Sequence, residues 1–120
     1  MTVVAYTLAV VLDLFVLYIG ARFLLRPYPS AAAYGVPAAH DQAYLEVKGL
    51  RDFTFGLAGL ALLFFAGPLA AAWLMLVVAL VPLGDTLIVL RHGGTRAVAF
   101  GIHFATAVVV LISAGLLFAV

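Results

Sequence analysis

The chain has no cysteine, which excludes disulfides, thiolate metal sites and thiol catalysis. It is also poor in charge. Asp, Glu, Lys and Arg make up 9% of the 120 residues against 68% hydrophobic residues, and a soluble core of this size cannot hide so much apolar surface. The net charge is only +1 and the basic residues form no run, which excludes a nucleic-acid partner. There is no phosphate loop, nucleophile elbow or dinucleotide fingerprint. His40, His92 and His103 are scattered, the first two in loops, so no metal site is expected.

What the chain does have is long apolar runs, at residues 3–25, 44–66, 69–90 and 97–119. Each exceeds or matches the roughly 20 residues that cross a hydrocarbon core of about 30 Å at about 1.5 Å per residue. The pattern predicts an all-α, polytopic membrane protein: one domain, residues 1–120, forming a four-helix bundle. Met1 and Thr2 supply no basic leader and the first run is longer than a signal core, so it reads as a span. Gly67-Pro68 joins the second and third runs. Arg91 to Arg96, with paired Gly93 and Gly94, joins the third and fourth, so neighbouring spans form antiparallel hairpins.

All six basic residues, Arg22, Arg26, Lys48, Arg51, Arg91 and Arg96, fall at one end of these spans. Asp41, Glu46, Asp52, Asp85 and His103 collect there too, whereas the opposite end carries no formal side-chain charge. The positive-inside rule makes the basic end cytoplasmic and predicts a cell-membrane protein with both termini outside, its partners including membrane lipids.

Residues 26–43 form the long connection. Pro27 and Pro29 stop the first span, Ser30 is placed to cap a short turn through Tyr34, and Gly35-Val36-Pro37 ends it. Tyr28, Tyr34 and Tyr44 suit the headgroup region. The segment reads either as an interfacial connector or as a lid over a pocket. A short echo, Arg51 to Gly56 against Arg96 to Gly101, matches at Arg, Phe and Gly and agrees with two hairpins.

Charges within the spans mark the candidate site, because an ionised side chain at the bilayer centre costs about 2.5–3.5 kcal/mol on insertion scales and so turns inward to a partner. Asp13 is deepest, near mid-span. Arg51, Asp85 and His103 lie roughly 7–11 Å inside the basic end by helical rise. Lys48 and Asp52, four apart, share a helix face beside a stripe of Gly49, Gly56 and Gly59 that admits a close neighbour. Arg51 points about 100° away from Asp52. Pro82 frees the carbonyl of Val78 and predicts a kink before Asp85, whose partner is expected to be Arg51 or Arg22. Imidazole exchanges a proton most readily near neutral pH, which singles out His103. Tyr6, Asp13 and Gly20 repeat at sevens along one stripe.

The segments Arg22 to Pro27, Tyr34-Gly35-Val36-Pro37, Tyr44-Leu45-Glu46-Val47-Lys48-Gly49-Leu50-Arg51-Asp52 and Pro82-Leu83-Gly84-Asp85, with His103, together resemble a family of small four-span membrane proteins of unknown function from bacteria and fungi. The resemblance covers almost the whole chain, and its most specific piece is Lys-Gly-x-Arg-Asp at 48–52. It implies a four-helix membrane bundle in which Arg22, Lys48, Arg51, Asp52, Asp85 and His103 belong to the recurring pattern. Asp13 has no place in it.

Two functional classes and a simpler one follow. The first is a membrane-embedded acid–base enzyme for a lipophilic small molecule, carrying out isomerisation, cyclisation or epoxide opening without a cofactor. Its catalytic residues are Arg51, Asp52, Asp85 and His103, with Arg22, Lys48, Asp13 and Tyr34 binding substrate. The second is a proton-coupled transporter built around Asp13, as a homo-oligomer, since four spans enclose little space. The third is a lipid-binding or structural subunit.

Overall fold

The computed structural model describes residues 1–120, and all of its regular elements are helical. They are α1 (Thr2–Leu25), the short α2 (Pro27–Tyr34), α3 (Gln42–Ala66), α4 (Pro68–Arg91) and α5 (Arg96–Phe118). All but α2 are long and apolar enough to cross a membrane, the architecture of a multi-pass membrane protein. The outside of the bundle agrees with a lipid solvent, for Leu25, Phe65 and Leu69 are among many large apolar side chains left exposed. The interior is built largely of alanine and glycine, which bring backbones close where apolar lipid supplies no hydrophobic drive.

The spans associate as two pairs. α1 lies along α3 at backbone contact: a Cβ on Gly49 would stand 2.8 Å from the Gly20 carbonyl oxygen, and one on Gly56 would stand 2.6 Å from that of Asp13. The glycine stripe of α3 therefore packs as its spacing predicts. α4 pairs with α5. At the end that holds both termini and the Gly67 turn, the pairs close on a core that includes Ala5, Ala9, Leu63, Ala72, Met75 and Leu117, drawn from all four spans. Toward the other end they part around a cavity, and α2 lies across that end. Phe23, Ala31 and Leu45 fix α2 to α1 and α3. Gly35, with φ 98°, turns the chain beyond α2 and rests on Val89 of α4 and Val98 of α5.

Local chemistry explains most breaks. Pro27 and Pro68 stand in the first turns of their helices, where a missing N–H leaves nothing unsatisfied. Thr95 caps α5 by accepting from the Val98 N–H at 3.2 Å. α4 is interrupted at Ala79, three residues before Pro82, as loss of the donor to Val78 requires. Ser30 departs from expectation. The helix starts three residues earlier, at Pro27, and the Ser30 hydroxyl instead donates back to the Arg22 carbonyl at 3.0 Å, tying α2 to α1. Two π-helical segments, 62–66 in α3 and 99–104 in α5, were not foreseen, and the second contains His103.

Candidate functional site

The cavity between the helix pairs has a volume of about 450 Å³ and a mostly apolar wall. Its ionisable groups come from every span. Asp13 and Arg22 enter from α1, Asp52 from α3, Asp85 from α4 and His103 from α5, while Tyr34 closes one end from α2. Six of the eight residues expected at a site thus line one space. Lys48, a seventh, reaches it through its partners.

Tyr34 is the node. Its hydroxyl donates to Asp85 Oδ2, and its backbone carbonyl accepts from His103 Nε2 at 2.7 Å. The Lys48 ammonium stands 4.2 Å from the centre of its ring and 4.5 Å from that of Phe23. The Tyr34 and His103 rings pack with centroids 4.3 Å apart. One side chain on a short helix therefore joins residues of all four spans. Of the tyrosines expected near the headgroups, Tyr44 is exposed, whereas the half-buried Tyr34, also expected to bind substrate, faces the cavity. Burial, and then the negative charge of Asp85, push the Tyr34 hydroxyl above the ordinary tyrosine pKa, so it remains a donor.

The carboxylates differ in their surroundings. Asp52 Oδ2 is paired with Lys48 Nζ at 2.5 Å, one helical turn away. Asp85 is held by Tyr34, not by Arg51 or Arg22 as expected. Arg22 instead donates to Tyr18 at 3.4 Å. Asp13 is buried against Gly59, where no Cβ would fit, and its Oδ2 has no hydrogen-bond partner. Arg51 must be withdrawn from the cluster: it is exposed and does not line the cavity. The one-residue step from Asp52 turns it about 100° outward, and Lys48 supplies the positive charge instead.

Because a carbonyl only accepts, the contact to Tyr34 assigns a proton to His103 Nε2 and leaves Nδ1 as the ring nitrogen not engaged there. The π-helical turn carrying His103 changes the register of α5 and sets where the ring lands, a local departure that recurs at functional sites. Ser30, Tyr18, Phe55 and Thr106 also line the cavity and were not proposed as site residues. Only Thr106, one turn beyond His103, had a positional signal. No group of three or more His, Cys, Asp or Glu side chains is placed to hold a metal ion.

A second depression, about 310 Å³, lies between α1 and α5 and shares Leu12, Phe15, Ile102 and Thr106 with the first. The wall between the two is thus only one side chain thick.

Residues 14–117 match a family described as a domain of unknown function, DUF4267. The chain belongs to this family. No curated protein and no solved structure matches it. The DUF4267 match takes in the Lys48–Asp52 pair, Tyr34, Asp85 and His103, and it begins one residue after Asp13. The shared part of the chain therefore contains the whole Tyr34-centred cluster.

Proposed function

We propose that this protein is a membrane-embedded acid–base enzyme acting on a lipophilic small molecule in the bundle cavity, by isomerisation, cyclisation or epoxide opening. The observation that carries the reading is the convergence of Asp52, held by Lys48, with Asp85 and His103, held by the hydroxyl and the carbonyl of Tyr34, at one end of an apolar space large enough for a small ligand. Groups held in unlike environments take opposite roles in proton transfer.

In this mechanism the apolar body of the substrate fills the cavity and its polar group meets Tyr34. His103, protonated at Nδ1, delivers a proton to that group, and Asp85, steadied by the Tyr34 hydroxyl, removes one from a neighbouring carbon. Asp52, paired with Lys48, stabilises positive charge developing between them. The proton then returns from Asp85 to His103, so nothing is oxidised and no cofactor is required. The Lys-Gly-x-Arg-Asp segment serves the site through Lys48 and Asp52, with Gly49 admitting α1. The positive-inside rule orients the site toward the cytoplasm in a cell membrane, termini outside.

The test is to incubate the solubilised protein with the lipophilic extract of the membranes it is purified from and to follow the mixture by mass spectrometry. One species should give way to an isomer of equal mass, an epoxide opening to the isomeric unsaturated alcohol. Asp85→Asn and His103→Phe should each slow this by about 100-fold or more while eluting as wild type. Conversion at the wild-type rate in Asp85→Asn would overturn the mechanism.

A second reading, a dimeric proton-coupled transporter, draws on the buried mid-span Asp13. It requires substrate-driven proton flux in proteoliposomes that Asp13→Asn abolishes.

A further inference from the structure

Asp13 is the one buried ionisable group in the cavity that the acid–base mechanism leaves idle. It is 5% exposed, and its Oδ2 is fully buried without a hydrogen-bond partner. An unsatisfied carboxyl so deep in an apolar span is costly and calls for a counter-group. No basic side chain pairs with it, since the one salt bridge in the chain is Lys48–Asp52. Gly56 and Gly59 of α3 pack against the Asp13 segment, and neither Arg22 nor His103, the basic side chains of the cavity wall, forms an ion pair with it. Arg22, on its own helix, is nine residues away, about 13 Å along the axis, and Lys48 is committed to Asp52.

We infer that the inner end of the cavity is the seat of an organic ammonium group, and that the ligand is an elongated lipophilic amine whose nitrogen pairs with Asp13. The inference rests on reading the cavity as the substrate pocket. It also sets a length. The Asp13 carboxyl lies against Gly59, and Asp52 is seven residues back along α3, so the two carboxylates stand about 10 Å apart along the helix. The amine nitrogen and the reacting group of the ligand are therefore separated by about that distance, with apolar atoms between. A metal ion does not suit the place: a hard cation takes six or more oxygens, and here one carboxylate stands in an apolar wall. An alkylammonium brings its own apolar body and needs only the charge.

The experiment uses protein in phosphatidylcholine nanodiscs, radiolabelled decylamine as probe and decanol as its neutral counterpart, with empty nanodiscs subtracted. Wild-type protein should bind decylamine saturably and prefer it to decanol by about 10-fold or more. The near-isosteric Asp13→Asn should remove that preference while leaving decanol binding unchanged, and Asp85→Asn should retain it. Equal binding of the two probes by wild type overturns the proposal without any variant. So does an unaltered preference in Asp13→Asn. The outcomes separate from those of the catalytic reading: loss of conversion in Asp85→Asn with no amine preference sinks only the ammonium seat, and an Asp13-dependent preference with no conversion sinks only the enzyme.

Discussion

The Tyr34 hydroxyl donates to Asp85 across 51 positions of chain, joining the short helix at the end of the bundle to the third span. A hydrogen bond to a charged group contributes about 1.5–3 kcal/mol, and its loss leaves the carboxylate without a partner. Tyr34→Phe should therefore lower the unfolding free energy in detergent by about that amount and slow conversion. Unchanged values for both would show that Asp85 is held some other way.

The same bond gives a pH signature. Burial and the Asp85 charge raise the Tyr34 pKa above that of an unfolded tyrosine, so the folded protein holds this proton more tightly. Its stabilisation is complete below about pH 10, the unfolded value, and declines above it by up to about 1.4 kcal/mol per pH unit. The difference between wild type and Tyr34→Phe should thus be flat from neutral pH to about pH 10 and shrink beyond it. A difference that grows with alkalinity would contradict the assignment.

Lys48 and Asp52 separate structure from chemistry. Lys48 keeps 29% exposure and Asp52 11%, so Lys48→Met should cost about 1–3 kcal/mol, below the figure for a fully buried pair. Lys48→Met with Asp52→Leu should restore the melting temperature yet leave conversion abolished. Recovery of activity in the double variant would make the pair purely structural.

Glycines predict opposite signs from position alone. A Cβ at Gly49 meets the Gly20 carbonyl oxygen and the Leu24 nitrogen at 2.8 and 2.9 Å, so Gly49→Ala should destabilise by about 1–3 kcal/mol as α1 and α3 are pushed apart. At Gly115 nothing lies within 4 Å, and Gly115→Ala should stabilise the helix by about 0.5–1 kcal/mol. Thermal unfolding of the two variants side by side decides the matter.

Arg51→Gln should leave conversion and folding close to wild type, because the side chain is exposed and off the cavity. A loss like that of Asp85→Asn would return Arg51 to the site.

Much of this arrangement was legible because membranes impose strong rules. Apolar length gave the spans, the spacing of Gly49, Asp52, Gly56 and Gly59 gave the face that meets α1, and four-residue spacing gave the Lys48–Asp52 pair. The partner of Asp85 was not legible, since charge arithmetic nominates an arginine and the bond comes from a neutral phenol on a connector. Tyr34 read both as an interfacial tyrosine and as a substrate-binding one, and the spacing alone did not say that its ring would reach Asp85 and His103. The π-helical segment around His103 left no mark in the periodicity, because one extra residue in a uniformly apolar span displaces no polar pattern.

The thin wall between α1 and α5 bears on how any occupant is counted. A molecule that crosses there comes from the acyl chains and not from water, so the concentration that governs occupancy is its mole fraction in the bilayer. Two ligands with identical contacts inside would then differ in apparent KM by the ratio of their partition coefficients. Titrations expressed per volume of buffer would rank them by oiliness before they ranked them by fit.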